Sequence, residues 1–183
     1  MSIPYDLHYY RARNLVDGNK AVTASVVNMV AAVIQPPARV VNVWSGNGHV
    51  DRLLTSVGYQ VHSIDYSADV LRFSVVEPHI TPGSDNLKTR EQFDLVLCQG
   101  LLEHIREECL AATLLEWSRL APRALVMLES SVRRDTEYTP ELLQLDEWWA
   151  ETFAESGWSC ADATGVVSKA VQPWRVFLLQ KKQ

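Results

Sequence analysis

Apolar positions along this chain switch repeatedly between a strand-like and a helix-like pattern, and that switching predicts the architecture. Val40, Val41 and Val43 form a β-branched run of the kind a strand buried on both faces needs. The segment SGNG follows at once, and its Gly46 and Gly48 permit a tight turn and a close backbone approach to a ligand. Val50, Leu53, Leu54 and Val57 then recur at helical spacing, with Gly58 at the stop position. Tyr59 to Ile64 reads as a second strand that ends on Asp65. Strand, glycine turn, helix and strand thus make a βαβ unit over residues 39–65.

The same patterning extends in both directions. Asn19 stands where it can cap a helix from Lys20 to Ile34, whose Val22, Val26, Val27, Val30 and Val33 give a face for packing on a sheet. Pro36 and Pro37 end that helix before the first strand. After Asp65, Ser67 caps a short expected helix over 68–76, and His79 to Thr81 is a brief third strand. Phe93 to Cys98 is a clear fourth strand, with Gln99 and Gly100 at its carboxyl end, and LLEHI is expected to begin the next helix. Residues 107–120 are amphipathic, 124–131 form a fifth strand, and the segment from 141 reads as a helix ending in Ser156-Gly157, in which Trp149 and Phe153 pair at i,i+4. Residues 158–180 supply two closing strands joined by a long loop. No internal repeat, low-complexity stretch or interdomain linker interrupts the 183 residues, so one domain is expected.

Candidate chemistry concentrates at the glycine turn. Asp65 lies 19 residues after Gly46, about the offset at which an acid at the end of a second strand accepts the ribose hydroxyls of a nucleoside. Other chemistries find little support. The five histidines are scattered at 8, 49, 62, 79 and 104, and no CxxC or HxxxH spacing suggests a metal. No Gly-Lys-Ser/Thr follows the turn, so it is not a P-loop. Val43 occupies the first-glycine position that a hydrolase elbow at Ser45 requires. The dinucleotide fingerprint fails because Asp51 stands at its third glycine position.

The segment RVVNVWSGNGHVDRLLTSVGYQVHSID resembles motif I and the following acidic position of class I S-adenosylmethionine-dependent methyltransferases. The resemblance continues through SDNL at 84–87, FDLVLCQGLLEHI at 93–105 and the strand at 124–131. It implies an α/β fold: a single-domain three-layer α/β/α sandwich around a seven-stranded, mostly parallel sheet in the order 3-2-1-4-5-7-6, with strand 7 antiparallel. Residues 1–35 would form an N-terminal arm and helix covering the site, and 38–183 the Rossmann-like core. The implied cofactor is S-adenosylmethionine, with S-adenosylhomocysteine as product. Its contacts would come from Asn42, Trp44, Ser45, Gly46, Gly48, Asp65, Tyr66, Asp85, Asn86 and Gln99. Glu103 and His104 are the candidate catalytic pair, and Tyr9, Tyr10, Arg13, Glu129 and Arg133 the candidate substrate contacts. No metal is implied. The family pattern closes the first strand with an acid and follows it with three alternating glycines. Here Asn42 stands at the acidic position and Trp44 replaces the first glycine.

Composition narrows the reading further. A formal charge of −5 and a pI of about 5.5 do not suggest broad attraction to nucleic acid or anionic membranes. No apolar run reaches the roughly 18–20 residues of a membrane span, and the start MSIPYDLHYYRAR has no signal-peptide core. Cys98, Cys109 and Cys160 fit a reducing compartment, so a cytoplasmic location is expected. No Asn/Asp-Pro-Pro-aromatic motif follows the fourth strand, which disfavours a nucleic-acid acceptor. The expected function is methyl transfer to a small-molecule acceptor. The alternative is a catalytically degenerate methyltransferase-fold binding or scaffold subunit, motivated by Asn42 and Trp44; a nicotinamide oxidoreductase is a distant third.

Overall fold

A computed structural model describes residues 11, 18–80, 92–129, 142, 144–167, 169 and 174–182. Helix α1 (Lys20–Val33) starts where expected: the Asn19 side-chain oxygen accepts from the amides of Ala21 and Val22 at 3.0 and 3.3 Å. Strand β1 (Arg39–Val43) leads through the glycine turn into α2 (His49–Ser56) and then β2 (Gln60–Asp65). A 3-10 helix (Ala68–Arg72) precedes β3 (His79–Ile80). Strand β4 (Leu95–Gln99), a 3-10 turn (Leu102–His104), α3 (Glu107–Leu120) and β5 (Arg123–Glu129) follow. The chain closes with α4 (Asp146–Glu155), β6 (Trp158–Cys160), the short α5 (Thr164–Val167) and β7 (Trp174–Lys181).

These strands form one mixed sheet, six of them three or more residues long and the two-residue β3 at one edge. The spatial order is β3-β2-β1-β4-β5-β7-β6. Strands β1, β2, β3, β4 and β5 run parallel to one another, and β7 is antiparallel to both β5 and β6. Alternate strand residues feed opposite faces. On one face Val41, Val43, Val96, Cys98 and Val126 pack beneath α3 and α4, whose Leu114, Trp117, Trp149 and Phe153 are buried. On the other, Val40, Leu95, Leu97, Leu125 and Met127 meet Val26 and Val30 of α1 and Leu54 of α2. The result is helix, sheet and helix in three layers.

Three expected elements differ. The helix anticipated over 68–76 is only the 3-10 turn to Arg72. The amide of Val75 bonds instead to the carbonyl of Asn47 at 2.9 Å, so this segment bends onto the glycine turn rather than continuing to coil. LLEHI does not open α3: Ile105 and Arg106 are extended and separate the 3-10 turn from it. The helix expected from 141 begins at Asp146, after an extended Leu145. No helix among the described residues is long and apolar enough to cross a membrane.

The helix expectation that matters most for packing is the aromatic pair of α4. Trp149 and Phe153 are fully buried with ring centroids 5.8 Å apart, and Phe177 of β7 meets Phe153 edge-on at 5.4 Å. Phe153 therefore clamps α4 to the reversed strand. Phe153→Ala is expected to lower unfolding free energy by about 3–5 kcal/mol in urea titrations; a loss below about 1 kcal/mol would mean that this contact does not anchor the layer.

Candidate functional site

Strand order reverses direction at β1, with β2 on one side and β4 on the other. In open α/β sheets the crevice outside the carboxyl ends of such strands is where ligands bind. The segment leaving β1 there is held tightly to β2. The amides of Trp44 and Ser45 both donate to the carbonyl of Ile64, each at 2.9 Å. Asp65, completely buried, then accepts from the Gly46 amide through Oδ2 and from the Ser67 amide through Oδ1, each at 2.9 Å. One carboxylate thus joins the glycine turn, the end of β2 and the start of the first 3-10 helix.

The two glycines play different parts. Gly48 has φ +71 and caps α2; a Cβ there would lie 2.5 Å from Val76 Cγ2 and 2.8 Å from Ser74 Oγ. Only glycine fits beneath the bent 74–76 segment. Gly46, at φ +54, faces open space among the described residues, with nothing within 4 Å of an added Cβ. At the entrance to α1, a Cβ on Gly18 would lie 2.6 Å from the His49 ring. The chain before α1 therefore reaches the first residue of α2.

Trp44 takes the most unusual conformation here. Its φ of +95 is the only positive value at a non-glycine among the described residues, a backbone state costing on the order of 1–3 kcal/mol. The indole is 7% exposed. It lies 6.2 Å from the Tyr66 ring, just beyond β2, and stacks 6.5 Å from the His104 ring at an interplanar angle of 12°. His104 is itself buried in the 3-10 turn after β4. The indole consequently bridges the ends of β2 and β4 across the end of β1.

Behind the turn, toward α2, is a buried polar cluster that the sequence did not single out. Asn42 Nδ2 donates to Asp51 Oδ1 at 2.5 Å, and both residues are buried. Burial pushes the Asp51 carboxyl up to about 6, against the lowering effects of Ser63 and Asn42. Asp51 shares the inward face of α2 with Leu54, three residues on, which was the one available signal that this acid points into the core.

Glu103 forms a second buried acidic position. Its Oε1 accepts from the amide of Glu129, the last residue of β5, at 2.9 Å, while its carbonyl accepts from the Leu142 amide at 2.9 Å. Burial raises its carboxyl to about 7, opposed chiefly by the Glu129 amide. Gly100 and Trp174 complete this end of the crevice: an added Cβ on Gly100 would lie 3.7 Å from the Trp174 ring and 3.8 Å from Glu103 Oε1. Arg175, beside Trp174, holds Asp146 at 3.0 Å.

The structure therefore brings Asn42, Trp44, Ser45, Gly46, Gly48, Asp65, Tyr66, Gln99, Glu103, His104 and Glu129 to the carboxyl edge of β1, β2, β4 and β5 or directly behind it. Tyr9, Tyr10, Arg13, Asp85, Asn86 and Arg133 lie outside the described residues. No group of three His, Cys, Asp or Glu suited to a metal occurs among the described residues.

No protein-family profile matches the sequence, and no curated protein matches it in sequence. Solved structures do match in shape. A TehB-like SAM-dependent methyltransferase from Corynebacterium glutamicum superimposes with a TM-score of 0.72 at 17% identity, covering 96% of each chain. The 1,6-didemethyltoxoflavin-N1-methyltransferase of Burkholderia thailandensis, solved with 1,6-didemethyltoxoflavin and S-adenosylhomocysteine, gives 0.70 at 17% identity over 96% of this chain and 84% of its own. The magnesium protoporphyrin IX methyltransferase of Synechocystis PCC 6803, solved with bound SAH, gives 0.67 at 17% identity over 96% and 94%. The chain has the fold of the S-adenosylmethionine-dependent methyltransferases.

The Asp51 cluster gives a pH signature. Because the folded-state value of Asp51 lies above the ordinary 3.8, the folded state holds the extra proton between about pH 4 and 6, and stability falls as pH rises through that window. Asp51→Asn is expected to change stability little at pH 4 and to raise it at pH 8 by up to about 3 kcal/mol, from 1.36 kcal/mol per pKa unit. Urea denaturation at both pH values checks this; equal effects at pH 4 and pH 8 would remove Asp51 as the cause.

Proposed function

We propose that this chain is an S-adenosylmethionine-dependent methyltransferase acting on a small-molecule acceptor. The observation that carries the reading is the Asp65 latch at the switch point of the sheet, which shapes a glycine turn with open space at Gly46. The fold similarity supports it, since structures of the same shape contain S-adenosylhomocysteine. Gly46 and Gly48 would bring backbone close to the cofactor, and Asp65, at the end of β2, would accept ribose hydroxyls. Tyr66 would lie beside the adenine, with Asn42, Trp44, Ser45 and Gln99 around the remainder and Asp85 and Asn86 at the base.

The cofactor's sulfonium supplies an electrophilic methyl group, which leaves the protein to orient the acceptor and exclude water. Glu103 and His104 stand between the ends of β4 and β5, where an acceptor would approach. A buried carboxyl raised to about 7, with the His104 ring beside it in sequence, is able to take a proton from an acceptor near neutral pH. Glu129 and Arg133, with Tyr9, Tyr10 and Arg13 of the N-terminal segment, would line the acceptor side of a single methyltransferase-like domain working in the cytoplasm. A second reading, a noncatalytic binding subunit, is favoured by one observation: the Trp44 indole stands in the crevice.

Calorimetry with S-adenosylhomocysteine and NAD tests the nucleoside reading. The expected outcome is binding of the former and none of the latter. Asp65→Ala is expected to weaken S-adenosylhomocysteine by about 1.5–3 kcal/mol, the range for hydrogen bonds to a charged group. Undiminished affinity in a folded variant would confine Asp65 to its backbone role.

A further inference from the structure

Trp44 unites three observations that no single structural role accounts for. The residue begins at the end of β1, where the sheet reverses its strand order. Its ring lies between those of Tyr66 and His104, which follow β2 and β4. Its backbone remains in a left-handed conformation suited to glycine, although a large side chain occupies the position. Backbone strain of this kind clusters at ligand clamps and switch regions. Among the described residues, open space lies two residues away, at Gly46.

We propose that Trp44 is a gate: its indole occupies the place an adenosyl ligand needs between Tyr66 and His104, and the ligand binds only the conformation in which the indole has swung aside. This rests on the nucleoside reading above and adds to it an intrinsic restraint on occupancy. The apparent dissociation constant is then the intrinsic one divided by the fraction of open molecules. A protein with one molecule in ten open binds about tenfold more weakly than its freed site would. Trp44→Gly removes the indole and relaxes the backbone together.

The test pairs calorimetry with a reporter on the indole itself. S-adenosylhomocysteine is titrated into the wild type and into Trp44→Gly. The wild type is also labelled with 5-fluorotryptophan, and the Trp44 fluorine resonance is identified by its loss in Trp44→Phe. The expected results are at least tenfold tighter binding by Trp44→Gly and displacement of the wild-type Trp44 resonance on saturation, while those of buried Trp149 and Trp158 stay in place. If wild type binds but the Trp44 resonance does not move and Trp44→Gly gains nothing, the indole is a fixed wall; the gate is overturned and the nucleoside reading stands. If neither folded protein binds, the nucleoside reading itself falls, and the gate with it. Should Trp44→Gly fail to fold, the wild-type resonance decides alone, its movement supporting the gate and its constancy under bound ligand overturning it.

Discussion

A single buried carboxylate organises the functional edge of this protein. Asp65 is out of contact with water, so its charge has to be met by donors within the fold, and the amides of Gly46 and Ser67 meet it. Those two bonds fix where the chain goes after β1 and after β2. The turn in between is then determined from both sides, with Ile64 holding Trp44 and Ser45 by their amides. The Trp44 backbone and the approach to α2 are both tied to this arrangement, while the indole itself is held by packing. The acid is first of all a structural clamp.

Two departures around Val43 act on opposite sides of the sheet. Asn42 faces α2, where Asp51 supplies the carboxylate that the strand itself lacks. Trp44 faces the other way, into the cluster containing Val43, Tyr66 and Phe93. The carboxylate that meets β1 here comes from nine positions along the chain and lies behind the turn. The front of the crevice becomes aromatic in the same step, through Trp44, Tyr66 and His104.

Much of this was legible in the chain because it depends on local rules. The run Val40, Val41, Val43 followed by two glycines leaves few conformations open, and Asn19 marks the start of α1 through its own side chain. The pairing of Trp149 with Phe153 follows from helical spacing alone. What was not legible depends on partners distant in sequence. The helical appearance of residues 68–76 gives way because the Val75 amide finds the Asn47 carbonyl. Asp51 looks like an ordinary first-turn acid until Asn42 and Ser63 are placed opposite it. The direction of the Trp44 indole, on which the reading of the site turns, is set by two rings, one 22 and the other 60 positions away.

Glu103 ties two separate parts of the chain to one residue. Its side chain receives the Glu129 amide at the end of β5 and its carbonyl receives the Leu142 amide ahead of α4. The short 3-10 turn after β4 is therefore a shared anchor, and any shift in it is passed to both neighbours at once.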